Sequence, residues 1–497
     1  MNKRLLLIEA NDNARWVGAR VGPKVHVLPI ALMGLGAYAK SVEPNLEVSL
    51  IETSLDAPDD ETLGQLIRDF EPTWIGVRSI SLFIEEVRRV VEIARAVSDA
   101  PVILGGPIST ALRDAIFSEV PGLLYAAVEE GEPVIAELVR GRKLELIPGI
   151  LVRGKSTLVK TAPKAALPRD LDPLPIPDYS LVDLSRYAAQ LSYAYNQRRQ
   201  GVLVTSRGCP FSCTYCFQIS DSPVRLQSAE RVVADIERLH VEHQVSDFYV
   251  VDDVFNLNRK RAMQVFAQLI ARNLSVRLYF VNGLRVDLID EAFVDAMVNA
   301  GTVWVTYAIE SACPRIQELI RKPLDLTAAR RMIGYTQKQG IVVNVNTMFG
   351  FPTETREEAN MTLDYLGSLD HPSLLPYHFN LRGYPGCEIV EQADQAGWSK
   401  ERFLATGFSS YGELPAGSPT FSRRDMMEHL VTFHETYGLA NRKHTAFAVA
   451  TLLRIGYSER EILDMYTVLN NRPVLALSDL TADDQTKAAQ ADKIRWA

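Results

Sequence analysis

Short aliphatic runs alternate with segments of helical spacing along most of this 497-residue chain, and that alternation constrains its fold more than any other feature. In the first third the runs are Arg4 to Glu9, Glu47 to Glu52, Thr73 to Val77 and Pro101 to Leu104. Between the last two, Ile84, Val87, Val90, Val91, Ala94 and Val97 recur at helical period. Strands separated by such helices predict a parallel, doubly wound, Rossmann-like sheet over residues 1–165. Sheets of this kind bind ligands in the loops beyond the carboxyl ends of their strands. The segment Leu167 to Pro177 (LPRDLDPLPIP) holds four prolines and interrupts the pattern, so 166–200 reads as a linker.

The alternation resumes at Gly201. Strand candidates are Val202 to Thr205, Asp247 to Val251, Arg277 to Val281, Val303 to Ile309, Val342 to Phe349 and His378 to Leu381. Six β/α units predict a partial (β/α)6 barrel over 201–387. Beyond it, 388–497 reads as a mostly helical domain, with Met426 to His434 and Thr445 to Arg454 as helices. The fold class is therefore α/β, followed by a helical C-terminal region.

Charge and cysteine content narrow the function. Lys plus Arg number 53 and Asp plus Glu 61, a net charge of −8, which excludes a surface built to coat nucleic acid. No apolar run reaches the roughly 18 residues of a membrane span. The best candidate, Leu28 to Ala39, is broken by Gly34 and Gly36. The apolar stretch after Met1-Asn2-Lys3-Arg4 is too short for a signal peptide. Five cysteines cannot make a disulfide framework and suit a reducing, cytoplasmic location.

Three of the five, Cys209, Cys213 and Cys216, fall in one C-x3-C-x2-C loop after the first barrel strand. Three thiolates there can hold three corners of a [4Fe–4S] cluster and leave one iron open. Zinc is the rival, but zinc sites usually close with a fourth Cys or His, and no His follows within twenty residues of Cys216. Cys313 and Cys387 are too few to ligate a second such cluster and read as buried small hydrophobes. His240 and His243 read as surface residues of a helix.

The loop, with Tyr215 before its last cysteine, resembles that of the radical S-adenosylmethionine (SAM) superfamily. The resemblance implies that Cys209, Cys213 and Cys216 ligate the cluster and that SAM chelates the open iron. One electron then cleaves SAM to methionine and a 5′-deoxyadenosyl radical. It places Tyr215 and Phe217 near the adenine. It assigns SAM-binding roles to Asp252 and Asp253 after the second strand, Arg285 after the third, Glu310 of Ala308-Ile309-Glu310-Ser311, and Gly350 of Met348-Phe349-Gly350-Phe351-Pro352. A single-electron donor such as flavodoxin or ferredoxin is implied as a partner.

The N-terminal domain resembles the cobalamin-binding domain joined to many radical SAM enzymes. Gly105, Gly106 and Pro107 follow a strand, where glycines let a large ligand approach the backbone. Glu130 and Gly131 precede a helix, and Arg78, Ser79, Ser81 and Pro29 complete the set expected to hold cobalamin. No His has an Asp two positions before it, so the D-x-H-x-x-G motif that supplies an axial His elsewhere is absent. The expectation is cobalamin with its own base displaced, no protein His on cobalt, and the Arg78–Leu82 loop beneath it. The resemblance implies methyl transfer to an unactivated carbon, occasionally phosphorus, of a small-molecule substrate. Two rivals are ring closure or rearrangement on a tetrapyrrole or nucleotide, and a non-catalytic cobalamin sensor.

Overall fold

Along the first strand Leu5 and Leu7 face one way and Leu6 and Ile8 the other, and all four are buried. A strand buried on both sides belongs inside a sheet with helices on both faces. The computed structural model describes residues 3–11, 25–80, 83–154, 160–161, 166–219, 223–369, 377–408, 417–437, 442–470 and 473–481. The N-terminal sheet contains β1 (Arg4–Glu9), β2 (Glu47–Glu52), β3 (Trp74–Arg78), β4 (Val102–Gly105), β5 (Tyr125–Ala127), β6 (Ile150–Val152) and β7 (Lys160–Thr161). Its order is β2-β1-β3-β4-β5-β6-β7; the first five run parallel and the last two antiparallel. Four helices cover it: α1 (Ile30–Val42), α2 (Asp60–Phe70), α3 (Ile84–Val97) and α4 (Glu132–Val139). Leu5, Leu7 and Ile103 share a core with α1 and α4, and Leu6, Ile8 and Ile75 share another with α2 and α3.

The barrel strands are β8 (Gln200–Leu203), β11 (Asp247–Val250), β12 (Arg277–Leu284), β13 (Thr302–Glu310), β14 (Val342–Phe349) and β15 (Tyr377–Asn380), all parallel and in that order. A two-residue hairpin ladder, β9 (Ser206–Arg207) with β10 (Arg225–Leu226), closes the base of the cysteine loop. Helices α5 (Ala229–His243), α6 (Arg259–Arg272), α7 (Glu291–Asn299), α8 (Leu326–Lys338) and α9 (Arg356–Gly367) join successive strands. Phe248, Phe280, Val305 and Val343 share the helix-side core, whereas Tyr249, Tyr279, Trp304 and Val342 face the barrel interior.

The C-terminal region adds α10 (Glu388–Gln395), α11 (Arg423–Tyr437), α12 (Arg442–Arg454) and α13 (Glu459–Asn470). Leu452 of α12 and Ile462, Met465 and Tyr466 of α13 pack on the inward-facing tyrosines, so the tail fills the lower half of the open barrel. The proline-dense linker is an anchored crossing: Arg231 Nη1 donates to the Leu174 carbonyl (2.7 Å), and Lys40 pairs with Asp178 (2.8 Å). Among the described residues no helix is long and apolar enough to cross a membrane.

Candidate active site

A cavity of about 700 Å³ lies between the N-terminal domain and the barrel mouth, with walls from both. The cysteine loop forms part of the barrel wall. Gly208, at φ +90°, turns the chain into it, a conformation that favours glycine. Inside the loop the Cys216 N–H donates to the Cys213 carbonyl (3.1 Å), and Gln218 Nε2 donates to the Phe211 carbonyl (2.8 Å). From outside, Ile320 accepts the Thr214 N–H (3.2 Å), and Thr214 accepts the Ile389 N–H (2.8 Å). The thiols of Cys209, Cys213 and Cys216 are free and line the cavity. No three side chains among the described residues converge as ligands of a single ion. Three thiols lining one cavity suit a cluster, in which each binds a separate iron. Enclosure in the cavity raises Cys209 and pushes Cys216 up to about 12, with the neighbouring thiols adding to both.

Opposite the loop, β13 ends at Glu310 in the left-handed region (φ 65°), just after a register shift against β14. A non-glycine residue held there marks a point where the surroundings impose the backbone. Glu310 Oε1 accepts from Lys322 Nζ (2.7 Å) and from the Tyr215 hydroxyl (3.0 Å), which ties the strand end to the cysteine loop. Lys322 is 6% exposed and lines the cavity, yet the sequence reading did not single it out. Its signal is faint, a lysine twelve positions after a strand-end glutamate.

Of the other barrel residues, Asp253, Arg285, Tyr215 and Phe217 reach the cavity. Burial raises the Asp253 carboxyl, and the Gly208 N–H partly offsets this. Arg285 makes a two-point pair with Asp287 (2.9 and 2.6 Å) and stacks on Phe211 of the cysteine loop at 4.0 Å. Asp252 and Gly350 do not line the cavity. Asp252 is buried away from it, accepting from Thr205 N–H and Oγ1 (2.5 Å each). That contact also ends β8 at Leu203 rather than at Thr205. Gly350 backs onto α11, where a Cβ would lie 3.1 Å from Met426 Cε.

On the N-terminal wall, Arg78, Gly105, Gly106, Pro107, Glu130 and Gly131 line the cavity. Arg78 Nη1 is 2.5 Å from Glu9 Oε1, so its charge is paired. Glu130 is paired with barrel arginines rather than free for a ligand. Pro29 and Ser79 do not line the cavity: Pro29 is buried at the N-cap of α1, and the Ser79 hydroxyl donates to the Ala10 carbonyl (2.7 Å) inside the domain. Ser81 lies outside the described residues. Deeper on this side, Leu5, Leu7, Gly76 and Ile103 of the sheet face Leu35, Tyr38, Ile135 and Leu138 of α1 and α4 across an apolar limb of the cavity.

Comparison with known proteins defines the class. Residues 203–366 match the radical SAM superfamily, and the barrel is a radical SAM domain. An uncharacterized methyltransferase of Pyrococcus horikoshii is 29% identical over 370 residues, covering 73% of this chain and 78% of that protein. An anaerobic magnesium-protoporphyrin IX monomethyl ester cyclase of Rubrivivax gelatinosus is 26% identical over 326 residues, covering 64% of this chain and 58% of the cyclase. The solved structure of the radical S-adenosylmethionine methyltransferase TsrM from Kitasatospora setae, with cobalamin and a [4Fe–4S] cluster bound, matches with TM-score 0.63 at 20% identity. It covers 80% of this chain and 75% of that one. At that identity the likeness shows a shared fold, a doubly wound domain joined to a partial barrel.

Proposed function

We propose that this chain is a cobalamin-dependent radical SAM methyltransferase acting on an unactivated carbon, or phosphorus, of a small-molecule substrate. The observation that carries the reading is one cavity with three free thiols on its barrel wall and an apolar limb under the opposing sheet. Cys209, Cys213 and Cys216 would hold the cluster. Glu310, Lys322 and Asp253 offer charged groups for the amino-acid end and ribose of SAM, beside the rings of Tyr215 and Phe217. The limb suits the nucleotide tail of a displaced-base cobalamin. A Cβ at Gly76 would lie 3.0 Å from Leu7 Cδ2, and one at Gly106 2.9 Å from Arg78 Cγ, so glycine keeps both walls flush. Bound there, the cluster supplies the electron that cleaves SAM, and cobalamin supplies the methyl group.

The chain's own work is positioning. The Lys322–Glu310–Tyr215 contacts fix strand end and cysteine loop as one unit, so the SAM-facing carboxylate and the thiols keep a constant separation. The apolar limb excludes water from one side of the cavity. A flavodoxin- or ferredoxin-type donor in the cytoplasm would supply the electron. The cyclase relative favours a second reading, ring closure or rearrangement with the same cofactors.

Anaerobically reconstituted and reduced protein is expected to release 5′-deoxyadenosine from SAM and, with cobalamin present, S-adenosylhomocysteine as well. Cys213→Ala is expected to lose the first product. A wild-type rate in that variant refutes the cluster assignment. Substrate turnover with 5′-deoxyadenosine but no S-adenosylhomocysteine selects the second reading.

A further inference from the structure

The hairpin at the base of the cysteine loop brings two like charges together. β9 and β10 are two residues long, and their register sets Arg207 directly opposite Arg225. Like charges facing across an antiparallel pair repel, and so short a ladder has few bonds to resist them. Residues 208–224, which include all three cysteines of the loop, hang from this ladder.

The counter-charge comes from the other domain. Arg207 Nη1 lies 2.6 Å from Glu130 Oε2, and its Nη2 lies 2.6 Å from Glu132 Oε1. Arg225 Nη1 lies 3.1 Å from the same Glu130 Oε2, and Arg225 Nη2 pairs with Glu130 Oε1. Arg225 Nη1 also donates to the Pro168 carbonyl of the linker at 2.8 Å. The Arg225 and Glu130 side chains are 7% and 10% exposed, so water screens this group weakly. Two carboxylates balance two guanidiniums, and Glu130 alone bridges both.

We infer that Glu130 is a positioning residue: it cancels the repulsion between Arg207 and Arg225, closes the base of the cysteine loop, and pins that loop to the N-terminal wall of the cavity. Its consequence for catalysis rests on the cluster role proposed above; its test does not. In the full-length, metal-free chain, iodoacetamide alkylation followed residue by residue by mass spectrometry reads loop opening, and buried Cys313 reports global unfolding. Glu130→Gln is expected to speed alkylation of the half-buried Cys209 and Cys213 on the order of tenfold with Cys313 still protected. Glu130→Gln/Arg225→Gln, which removes one of the repelling charges, is expected to return the rates to within about threefold of wild type. A double variant faster than the single one means that lost hydrogen bonds, not repulsion, open the loop, and overturns the inference. So does a Glu130→Gln rate equal to wild type. Should Glu130→Gln also expose Cys313, Arg225→Gln alone decides: it leaves Glu130 with one cation, so native rates support the inference and rates about tenfold faster overturn it. Failure of wild-type protein to assemble a cluster would count against the proposed function and leave these rates untouched.

Discussion

Glu354 makes the stability of the barrel mouth depend on pH in an unusual direction. It is wholly buried after β14, where its Oε2 accepts the N–H groups of Gly350 (2.6 Å) and Phe351 (3.0 Å). Its Oε1 accepts no hydrogen bond among the described residues. Burial outweighs the two N–H groups and pushes the carboxyl from 4.5 up to about 8. Because the folded value is raised, the native chain binds the extra proton. Its contribution is complete below pH 4.5 and lost as pH rises through about 8. At about 1.36 kcal/mol per unit, the whole step is about 5 kcal/mol, of which about 3 fall between pH 5 and 7.5. Glu354→Gln keeps an acceptor for the same N–H groups and cannot ionise. Hydrogen exchange of the Gly350–Glu354 segment, corrected for intrinsic rates, reads the local opening energy. The wild type is expected to lose about 3 kcal/mol of protection across that range and the variant almost none. Equal pH slopes in the two proteins would refute the reasoning.

Two other outcomes test the N-terminal wall. Gly76→Val fills the apolar limb between the sheet and α1, so cobalamin affinity in equilibrium dialysis should fall at least about tenfold while SAM binding is retained; unchanged affinity would place the tail elsewhere. The cavity wall contains no His among the described residues, and buried His26 sits 3.7 Å from Glu52, so bound cob(II)alamin should show no three-line nitrogen splitting in its electron paramagnetic resonance spectrum.

Much of the fold was legible because buried parallel strands read as unbroken aliphatic runs. Arg4–Glu9, Glu47–Glu52 and Val342–Phe349 match their expected bounds. Edges slipped where side chains capture backbone groups, as Asp252 does at the end of β8, or where a ladder resumes after a bulge, as β12 does on its way to Leu284. The cysteine loop was legible because its three thiols lie within eight residues of one another. Lys322 and the Arg207–Glu130–Arg225 group were not, since their partners come from separate segments that only the folded chain assembles. Asp252 and Asp253 show the finest limit: neighbouring identical residues in the loop after β11, one bound to Thr205 and one facing the cavity.

The tail helices also plug the barrel below the level of the cavity. On β13, Trp304 belongs to the layer packed on α12 and α13, whereas Ala308 already lines the cavity. Four residues of strand, about 13 Å, separate the two levels. The described side chains of α12 and α13, with Tyr249 and Tyr279, fill the barrel below the cavity, and none of them lines it. The plug of the barrel and the walls of the cavity are thereby carried by separate parts of the chain, so one can change while the other is kept.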